Sequence, residues 1–459
     1  MIDLRIYRLL QVLLLPLVLV YIVYHIFYSK KFKYSWRQRL TLNLPPAPDC
    51  PILHIQAASV GETIALESIL EDLRNFLPNH AILITSLSET GHKTVKDRIN
   101  PSVATYLPFD YPHLTKRFRD HYRPSALILM ETEFWPNLIE EYKKHKLPVI
   151  VINGRISPKS LEFYLKFSKL YDPLLQNIDK FAAQTQEDAH RVESIGLPKS
   201  RIEVVGDIKF DQIVKNPESK RLERIRDSLS PPSKRILAAG STHKAEHEKL
   251  LKSFALLCED MEDLYLLLAP RHPEELSNVR SLLEDCSLSY VLRSRQKQEK
   301  ANWGKQDRVL LIDTIGELAF LYDFCAIAFI GGSLCPKGGH SPLEPAVLAK
   351  AVLMGPHAFN FKNIVEALQR RQALRIVRDF ETLMLSVKEL FSSPKELEFM
   401  GQKAKEFVHE STGAARRSAL ITKECLESFA VDSDNCSADV VKRMADIQGE
   451  RKCSSNDGQ

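Results

Sequence analysis

The feature that most constrains the fold is an alternation of short apolar runs with amphipathic stretches, which occurs in two blocks along the chain. In the first block the apolar runs are 52–56, 81–85, 126–130, 149–152 and 180–183. In the second block they are 235–239, 265–268, 309–312, 327–330 and 352–354. Strand-like runs that alternate with helical patterns are typical of parallel sheets covered by helices on both faces. The sequence therefore predicts an α/β protein of two Rossmann-like domains that face each other across a cleft.

The two blocks are separated by a charged segment, 216–232, which ends in two prolines and is typical of an interdomain connection. The length of 459 residues is also too great for one ordinary core and suits two domains. We therefore expect an N-terminal domain over 31–215 and a C-terminal domain over 216–431. The remaining residues, 432–459, are polar and poor in aromatic side chains, so they are predicted to form a disordered tail.

An apolar segment, 9–27, precedes the first block and contains few polar residues. About 20 residues of this kind are enough to cross a bilayer, or they can lie deep in one leaflet. Two cations precede the segment and five follow it, namely Lys30, Lys31, Lys33, Arg37 and Arg39. Because positive residues are retained on the cytoplasmic side of a membrane, the sequence predicts a membrane anchor over 1–30 with both domains on the cytoplasmic face. A buried first helix is the alternative.

Charge and cysteine content exclude two classes of function. The net charge of +5 is too small to favour nucleic acid as a partner, and the chain contains no nucleic-acid-binding motif. The eight cysteines are scattered, without a CxxC pair or a His/Cys cluster at zinc spacing. We therefore expect reduced thiols and no bound metal or cofactor.

The first acidic candidate is Glu62, in the segment 59–62 (SVGE) that follows the first predicted strand. Ligands of open parallel sheets bind beyond the carboxyl ends of the strands. Glu62 also falls in the first turn of the next helix, where the helix dipole holds a carboxylate ionised, so that it can act as a general base. An ordinary helix-start residue is the alternative, and this motif alone favours it.

The second acidic segment is 131–137 (ETEFWPN), which directly follows the run 126–130. Two acids, a tryptophan and a proline at a strand end are unusual for packing alone, so Glu131 or Glu133 is a functional candidate. The alternative is that one of them caps the helix that starts near Pro136. Lys209, in the segment 206–211 (GDIKFD), is a further candidate, although by itself it is typical of a solvated surface lysine.

In the second block, the segment 270–273 (PRHP) follows the run 265–268. Two flanking prolines help to fix Arg271, which suits recognition of a phosphate or a carboxylate. His272 has two interpretations, because a lone histidine is more often structural than catalytic.

The strongest pattern is 331–345 (GGSLCPKGGHSPLEP), which follows the run 327–330. Paired glycines let the backbone approach a ligand closely, and the free amides of a helix that starts near Pro342 can hold a phosphate. Glu344 in that first turn can accept both ribose hydroxyls of a nucleotide. The segments 240–243 (GSTH) and 315–317 (IGE) also follow predicted strands and present small residues and backbone amides.

These motifs, in this order, resemble the 3-deoxy-D-manno-octulosonic acid (Kdo) transferases of Gram-negative bacteria, which are glycosyltransferases of the two-Rossmann GT-B fold. The matching segments are 59–62, 131–137, 206–211, 270–273, 338–344 and 354–361 (MGPHAFNF). The resemblance extends from the N-terminal anchor to about residue 425. Ser341 stands where the family commonly has Asn, and Phe134 stands where Leu is frequent. Both departures leave the assignment intact.

The resemblance implies transfer of Kdo from CMP-Kdo to a lipid A precursor (lipid IVA) at the inner membrane, in lipopolysaccharide core biosynthesis, with inversion and without a metal. Residues 31–215 would bind the acceptor and 216–431 would bind CMP-Kdo. Glu62 matches the catalytic base, while Glu133 and Lys209 match residues that support the transition state. The CMP-binding parts are matched by Pro270, Arg271, His272, Ile315, Gly316, Glu317, Ser341, Pro342, Leu343 and Glu344.

Two alternatives stay open on the sequence. Another GT-B enzyme that uses a different activated sugar would keep the fold, but not SVGE together with ETEFWPN. A membrane-tethered binding protein without catalysis would be expected to have lost Glu62 or Arg271, and both are present.

Overall fold

The computed structural model describes residues 4–27, 35–214, 232–295 and 306–430, together with 225, 229 and 303. Three sequence features therefore lie outside the described residues: the cations Lys30, Lys31 and Lys33, most of the segment 216–232, and the tail 432–459. The chain forms two compact units, Met1–Gln212 with Thr412–Gln459, and Ile213–Ser411. Each unit has its own parallel sheet, which confirms the prediction of two α/β domains.

A seven-stranded sheet forms the centre of the first unit, and all its neighbouring strands are parallel. The strands are β1 Ile52–Ala57, β2 Ala81–Ser86, β3 Val103–Tyr106, β4 Ala126–Met130, β5 Val149–Gly154, β6 Lys180–Ala183 and β7 Ile202–Val204. Their order is β3-β2-β1-β4-β5-β6-β7, so the direction in which the chain moves across the sheet reverses between β1 and β4. Ligands of doubly wound sheets bind at such a reversal.

Helices cover both faces of this sheet. They are α1 Leu4–Phe27, α2 Trp36–Arg39, α3 Val60–Phe76, α4 Glu89–Thr94, α5 Pro112–Tyr122, α6 Pro136–Lys144, α7 Pro158–Lys166, α8 Ser168–Leu175, α9 Gln186–Ser194 and α10 Ile208–Val214. The hydroxyls of Ser59, Ser157 and Thr185 each accept an amide hydrogen bond at the start of α3, α7 and α9, which is why these helices begin there. Alternate residues of β4 enter two different cores, Ile128 on one face and Leu129 on the other.

The second unit repeats this plan with a second seven-stranded parallel sheet. Its strands are β8 Arg235–Thr242, β9 Leu264–Pro270, β10 Tyr290–Leu292, β11 Val309–Leu311, β12 Ile327–Ile330, β13 Ala351–Met354 and β14 Leu374–Ile376. Its helices are α11 Lys244–Asp260, α12 Leu276–Asp285, α13 Leu318–Leu321, α14 Leu343–Val347, α15 Lys362–Arg370, α16 Phe380–Ser392 and α17 Pro394–Glu410. The strand order is β10-β11-β9-β8-β12-β13-β14, and the reversal lies between β8 and β12.

After α17 the chain returns to the first unit as α18, residues 414–430. The Asp211 carboxylate accepts the backbone N–H groups of Gly413 at 2.7 Å and Ala415 at 3.1 Å. Arg417 donates to the carbonyl of Val205, and Ile421 packs in the core below β1. The structure therefore differs from the expected C-terminal domain over 216–431, since α18 belongs to the first unit. The sequence could not show this, because the apolar pattern of α18 does not reveal which sheet the helix covers.

All ten predicted strands are present within one to three residues at each end. The four strands that the sequence did not reveal are β3, β7, β10 and β14, which are the edges of the two sheets. Each has only three or four residues. Because an edge strand pairs on one side only, it needs no long apolar run.

Among the residues that the structure describes, no helix is both long enough and apolar enough to cross a membrane. The helix predicted near the start of the chain is present as α1, but the membrane anchor predicted over 1–30 is not shown. Polar residues at the start of α1 contact other elements of the first unit, since Tyr7 donates to Asp110 and Arg8 donates to Asn137.

Candidate active site

The acidic candidates of the first unit follow β1 and β4, the two strands at the reversal. These strands are paired, with Gln56 of β1 opposite Leu129 of β4. Glu62 comes after β1 on α3, and Glu131 and Glu133 come after β4, before α6. The sheet thus brings the segments 59–62 and 131–137 together at the carboxyl ends of two neighbouring strands, as expected for a ligand site of this fold.

Glu62 is the third residue of α3 and is 8% exposed. Its carboxylate accepts the backbone N–H of Ala58 at 2.7 Å and the Ser59 hydroxyl at 2.9 Å, while that hydroxyl accepts the Glu62 N–H at 3.2 Å. This reciprocal arrangement caps the helix. Burial raises the pKa of Glu62, the charges of Glu131 and Glu133 also raise it, and the two hydrogen bonds to the carboxylate lower it. The resulting pKa is about 7. A carboxylate with a pKa near neutrality can exchange a proton, as a general base must.

Glu131 begins the turn between β4 and α6 in a strained conformation. Its φ of 58° lies in the left-handed region, which costs a residue other than glycine about 1–3 kcal/mol and is common at functional sites. Burial raises the pKa of Glu131, and the charges of Lys209 and Arg155 oppose this. Burial also raises the pKa of Glu133, and the Glu131 charge raises it further. The resemblance pointed to Glu133, and the structure places Glu131, the other acidic candidate of this segment, in the same group.

Lys209 is held near these acids by the start of α10. The Asn153 side chain, at the end of β5, accepts the N–H of Ile208 at 3.3 Å. The Asp207 carboxylate accepts the N–H of Lys209 at 3.0 Å. Because the Lys209 charge acts on Glu131, the structure places Lys209 in one electrostatically coupled group with Glu62, Glu131 and Glu133.

In the second unit, the carboxyl end of β8 and the loop after β12 approach each other at the corresponding reversal. The N–H of Gly331 donates to the carbonyl of Gly240 at 2.8 Å. A β-carbon on Gly331 would lie 2.5 Å from the Ser241 carbonyl oxygen, so only glycine permits this approach. The next residue, Gly332, has a φ of 69°. The paired glycines are therefore required by the fold of the loop as well as being available to a ligand.

Glu246 joins the loops after β8 and β12 and was not identified from the sequence. It is 1% exposed, and its carboxylate accepts the N–H groups of His243 at 2.9 Å, Gly332 at 2.8 Å and Leu334 at 3.1 Å. The sequence does contain a signal for it, because an acidic residue three positions after a helix start is typical of a capping box. The bonds to the loop 331–334 have no such signal.

Arg271 lies beside a group of three imidazoles. The backbone N–H of Arg271 donates to the carbonyl of Thr242 at 2.8 Å, while the Arg271 side chain is exposed. The Nε2 atoms of His243 and His340 are 3.0 Å apart, and the rings of His243 and His272 are 5.4 Å apart. Burial lowers the pKa of His340 to about 4, and the Arg271 charge lowers it further. His340 is therefore neutral at pH 7, and Arg271 carries the permanent positive charge of this group.

Glu344 lies in the short helix α14, after the glycine-rich loop. Burial raises the pKa of Glu344 to about 7, and the Arg271 guanidinium opposes this. The N–H of Leu343 donates to the Ser341 hydroxyl at 3.4 Å, and Pro342 immediately precedes the helix. The structure thus brings the segments 270–272 and 341–344 together at the carboxyl ends of the strands.

The segment 315–317 divides into an exposed and a buried part. The Ile315 side chain is 84% exposed, and Gly316 has a φ of 79°. The Glu317 carboxylate is buried against Arg293, with 3.4 Å between Oε2 and Nε. A ligand can therefore reach Ile315 and Gly316, while the Glu317 side chain stabilises the loop. Nucleotide binding by these three residues stays a prediction.

The segment 354–361 supports the glycine-rich loop from below. Asn360 donates its N–H to the Gly338 carbonyl and its side-chain NH₂ to the Lys337 carbonyl, both at 3.1 Å. The N–H of Gly355 donates to the Ser333 hydroxyl at 2.8 Å. These bonds give the segment a positioning role. Within the described ranges, no three His, Cys, Asp or Glu side chains are grouped to hold a metal ion.

Comparisons with known proteins agree with this geometry. A sequence model of the family described as 3-deoxy-D-manno-octulosonic-acid transferase (kdotransferase) matches residues 34–212. The 3-deoxy-D-manno-octulosonic acid transferase of Haemophilus influenzae is 34% identical over 377 residues, which cover 82% of this chain and 87% of that relative.

Two solved structures are similar in fold. A glycosyltransferase from Rickettsia africae has a TM-score of 0.53 at 15% identity and covers 83% of this chain and 99% of that one. The UDP-GlcNAc 2-epimerase of Neisseria meningitidis has a TM-score of 0.55 at 13% identity and covers 79% of this chain and 99% of that one. At these identities both structures support only the fold, two parallel-sheet α/β domains of the GT-B-like kind. From its identity to the Haemophilus enzyme over most of both chains, we conclude that this chain belongs to the Kdo transferase family and is a glycosyltransferase.

Proposed function

We propose that this enzyme transfers Kdo from CMP-Kdo to a lipid A precursor, with inversion at the Kdo anomeric carbon and without a bound metal. The observation that carries the proposal is Glu62, a buried carboxylate whose pKa of about 7 fits a general base. Such a base takes the proton from an acceptor hydroxyl as that hydroxyl attacks the anomeric carbon. Direct displacement with a single base needs no covalent intermediate and inverts the centre.

The charges of the second unit support an anionic donor. CMP leaves through its phosphate, which gains negative charge as the bond to the sugar breaks. A cation such as Arg271, together with donor groups aimed at that charge, lowers the barrier. With this charge already provided by the protein, the reaction as proposed needs no metal ion.

The acidic group of the first unit supports the other half of the transition state. The anomeric carbon becomes oxocarbenium-like, as in glycoside chemistry generally. Glu131 and Glu133 lie beside Glu62, where a positive centre would be stabilised by their charges, and Lys209 balances Glu131. We assign Glu62 as the base and Glu133 and Lys209 as stabilising groups, with Glu131 as an additional member.

A lipid acceptor fits the surface of α1. Large apolar side chains of this helix are exposed, namely Leu9, Leu10, Val12, Leu13, Leu14, Leu17 and Val20. An exposed apolar area of this kind usually marks a contact with a membrane or another protein. We propose that α1 lies on the cytoplasmic face of the inner membrane, where the acyl chains of the acceptor remain in the bilayer.

Nucleotide release from a panel of donors tests the proposal. CMP-Kdo and UDP-GlcNAc are each incubated with the enzyme, with and without lipid IVA. We expect release only from CMP-Kdo, stimulated by lipid IVA and lost in Glu62→Gln. As a control on the same helix, Glu67→Gln removes a carboxylate that pairs with Arg98 at the surface, and it should behave as the wild type. Release from UDP-GlcNAc at the same rate, or release that ignores the acceptor, would overturn the proposal.

A further inference from the structure

Asp110 is a buried carboxylate that no motif singled out. It follows β3, precedes α5 and is 7% exposed. Its Oδ2 accepts the N–H of Asn137 at 3.1 Å, and its Oδ1 accepts the N–H of Leu138 at 2.9 Å. These are the first two amides of α6 that can donate, because α6 begins with Pro136. The residue before the helix, Trp135, provides no side-chain cap, so Asp110 caps α6 from another loop.

This cap fixes one end of the turn that carries Glu131 and Glu133. At the other end, the N–H of Glu131 donates to the carbonyl of Ile152 at 3.0 Å. In the middle, the Thr132 hydroxyl donates to the carbonyl of Arg155 at 2.9 Å. A strained conformation such as that of Glu131 persists only where the surrounding structure holds it. Without the Asp110 cap, the start of α6 would lose two of the hydrogen bonds that hold this end of the turn.

The start of α1 contacts the same pair of residues, Asp110 and Asn137. Tyr7 donates to the Asp110 carboxylate at 3.0 Å, and the Gln11 side chain donates to the Asp110 carbonyl at 2.7 Å. The Gln11 side-chain oxygen also accepts from the Asn137 side chain at 3.0 Å, and Arg8 donates to the Asn137 side-chain oxygen at 2.8 Å. Tyr7, Arg8 and Gln11 of α1 therefore contact the cap of α6. The exposed apolar residues of α1 lie at other positions of the helix.

We propose that Asp110 is a positioning residue for the turn that carries Glu131 and Glu133, and that α1 holds Asp110 in place through Tyr7 and Gln11. The helix α1 then has a role in catalysis that is separate from contact with a membrane. This inference rests on the proposed function, since it assigns the turn to the transferase reaction. It predicts that Asp110 acts on turnover and not on donor binding.

Asp110→Asn is the test variant, because it preserves the size of the side chain but replaces one acceptor oxygen by an NH₂ group, which cannot accept a hydrogen bond from a backbone N–H. One N–H of α6 is then left without its partner, and a shift of about 1 Å at a catalytic group can lower turnover about 100-fold. We expect kcat to fall about 10- to 100-fold, with the KM for CMP-Kdo within about twofold of the wild type. Amide hydrogen exchange at Asn137 and Leu138 should become faster, while exchange in β1 and β4 stays slow.

A double-mutant cycle separates positioning from general destabilisation. If Asp110 acts through Glu133, Asp110→Asn should have little further effect on kcat in a Glu133→Gln background. Asp379→Asn is the matched control, because Asp379 also caps a helix, accepting the N–H of Thr382 at 2.7 Å at the start of α16 in the second unit. Its effect should be the same in both backgrounds. An Asp110→Asn effect that multiplies with Glu133→Gln, or unchanged exchange at Asn137 and Leu138, would overturn the inference.

The role of α1 is tested with detergent-dispersed acceptor, where contact with a bilayer is not needed. Tyr7→Phe with Gln11→Leu should lower kcat several-fold, whereas Glu67→Gln, which removes a surface ion pair on α3, should leave kcat unchanged. Wild-type kcat in the Tyr7/Gln11 variant would contradict the role of α1. If the wild-type enzyme transfers no Kdo at all, the proposed function fails, and this is distinguishable because the exchange measurement does not depend on activity.

Discussion

Replacing Glu62 by Gln should make the protein more stable and inactive at the same time. In the unfolded chain this carboxyl ionises at its ordinary pKa of 4.5, whereas the folded protein retains the proton until about pH 7. The folded state therefore binds more protons in between, and stability falls as the pH rises from about 4.5 to 7. Each pKa unit corresponds to about 1.36 kcal/mol, so the ionised side chain costs the folded protein about 3 kcal/mol above pH 7.

A glutamine removes this cost and can keep both hydrogen bonds. Its amide oxygen can accept the Ala58 N–H, and its NH₂ can donate to the Ser59 hydroxyl. We expect Glu62→Gln to gain about 1–3 kcal/mol at pH 8 and little at pH 4.5, where the folded carboxyl is protonated and the unfolded one is only half ionised. Turnover should fall about 100- to 10,000-fold, as for the loss of a general base.

Calorimetry of the full chain at both pH values measures the free energy of unfolding. Hydrogen exchange in α3 identifies the unfolding transition in which this helix takes part. Glu67→Gln is the control, because a surface ion pair on the same helix contributes about 0–1 kcal/mol. If Glu62→Gln were destabilised at pH 8 and kept wild-type turnover, Glu62 would be only a helix cap and the reasoning would be refuted.

Three further results are expected. Arg271→Ala should weaken CMP-Kdo binding about 10- to 150-fold by calorimetry, since a charge-assisted hydrogen bond contributes about 1.5–3 kcal/mol; unchanged affinity would make Arg271 structural. The rate should fall about tenfold per pH unit below about pH 7, where Glu62 is protonated. Glu133→Gln should move this limb to lower pH, and a limb that stays in place would exclude the coupling. Leu9→Ser with Leu13→Ser should reduce sedimentation with anionic vesicles at high salt, and full sedimentation would direct attention to another surface.

The parts of the fold that the sequence predicted are those in which burial dictates residue type. Strands such as β4 and β12 are buried along their whole length, so they appear as uninterrupted apolar runs. The edge strands β3, β7, β10 and β14 have no such requirement and were missed. The return of α18 to the first unit depends on Asp211 accepting the amides of Gly413 and Ala415, a contact between residues about 200 positions apart that leaves no local pattern.

The candidate site shows the same division. Glu62 and Glu344 were found because each follows a strand and opens a helix, a position visible in the sequence. Glu246 and Asp110 were missed because their carboxylates accept backbone amides of elements distant in the sequence. The pairing of Glu317 with Arg293 is also a contact between residues that are distant in the sequence. The Glu317 side chain, which was expected to touch the nucleotide, contacts Arg293 within the protein.

The central claim is the transfer of Kdo onto a lipid A precursor with Glu62 as the base. Mass spectrometry of lipid IVA after incubation with the purified enzyme and CMP-Kdo tests it most directly. We predict a product heavier by one or more Kdo residues, formed by the wild type and by Glu67→Gln but not by Glu62→Gln. Unmodified lipid IVA with the wild type, or the same product with Glu62→Gln, would contradict the account.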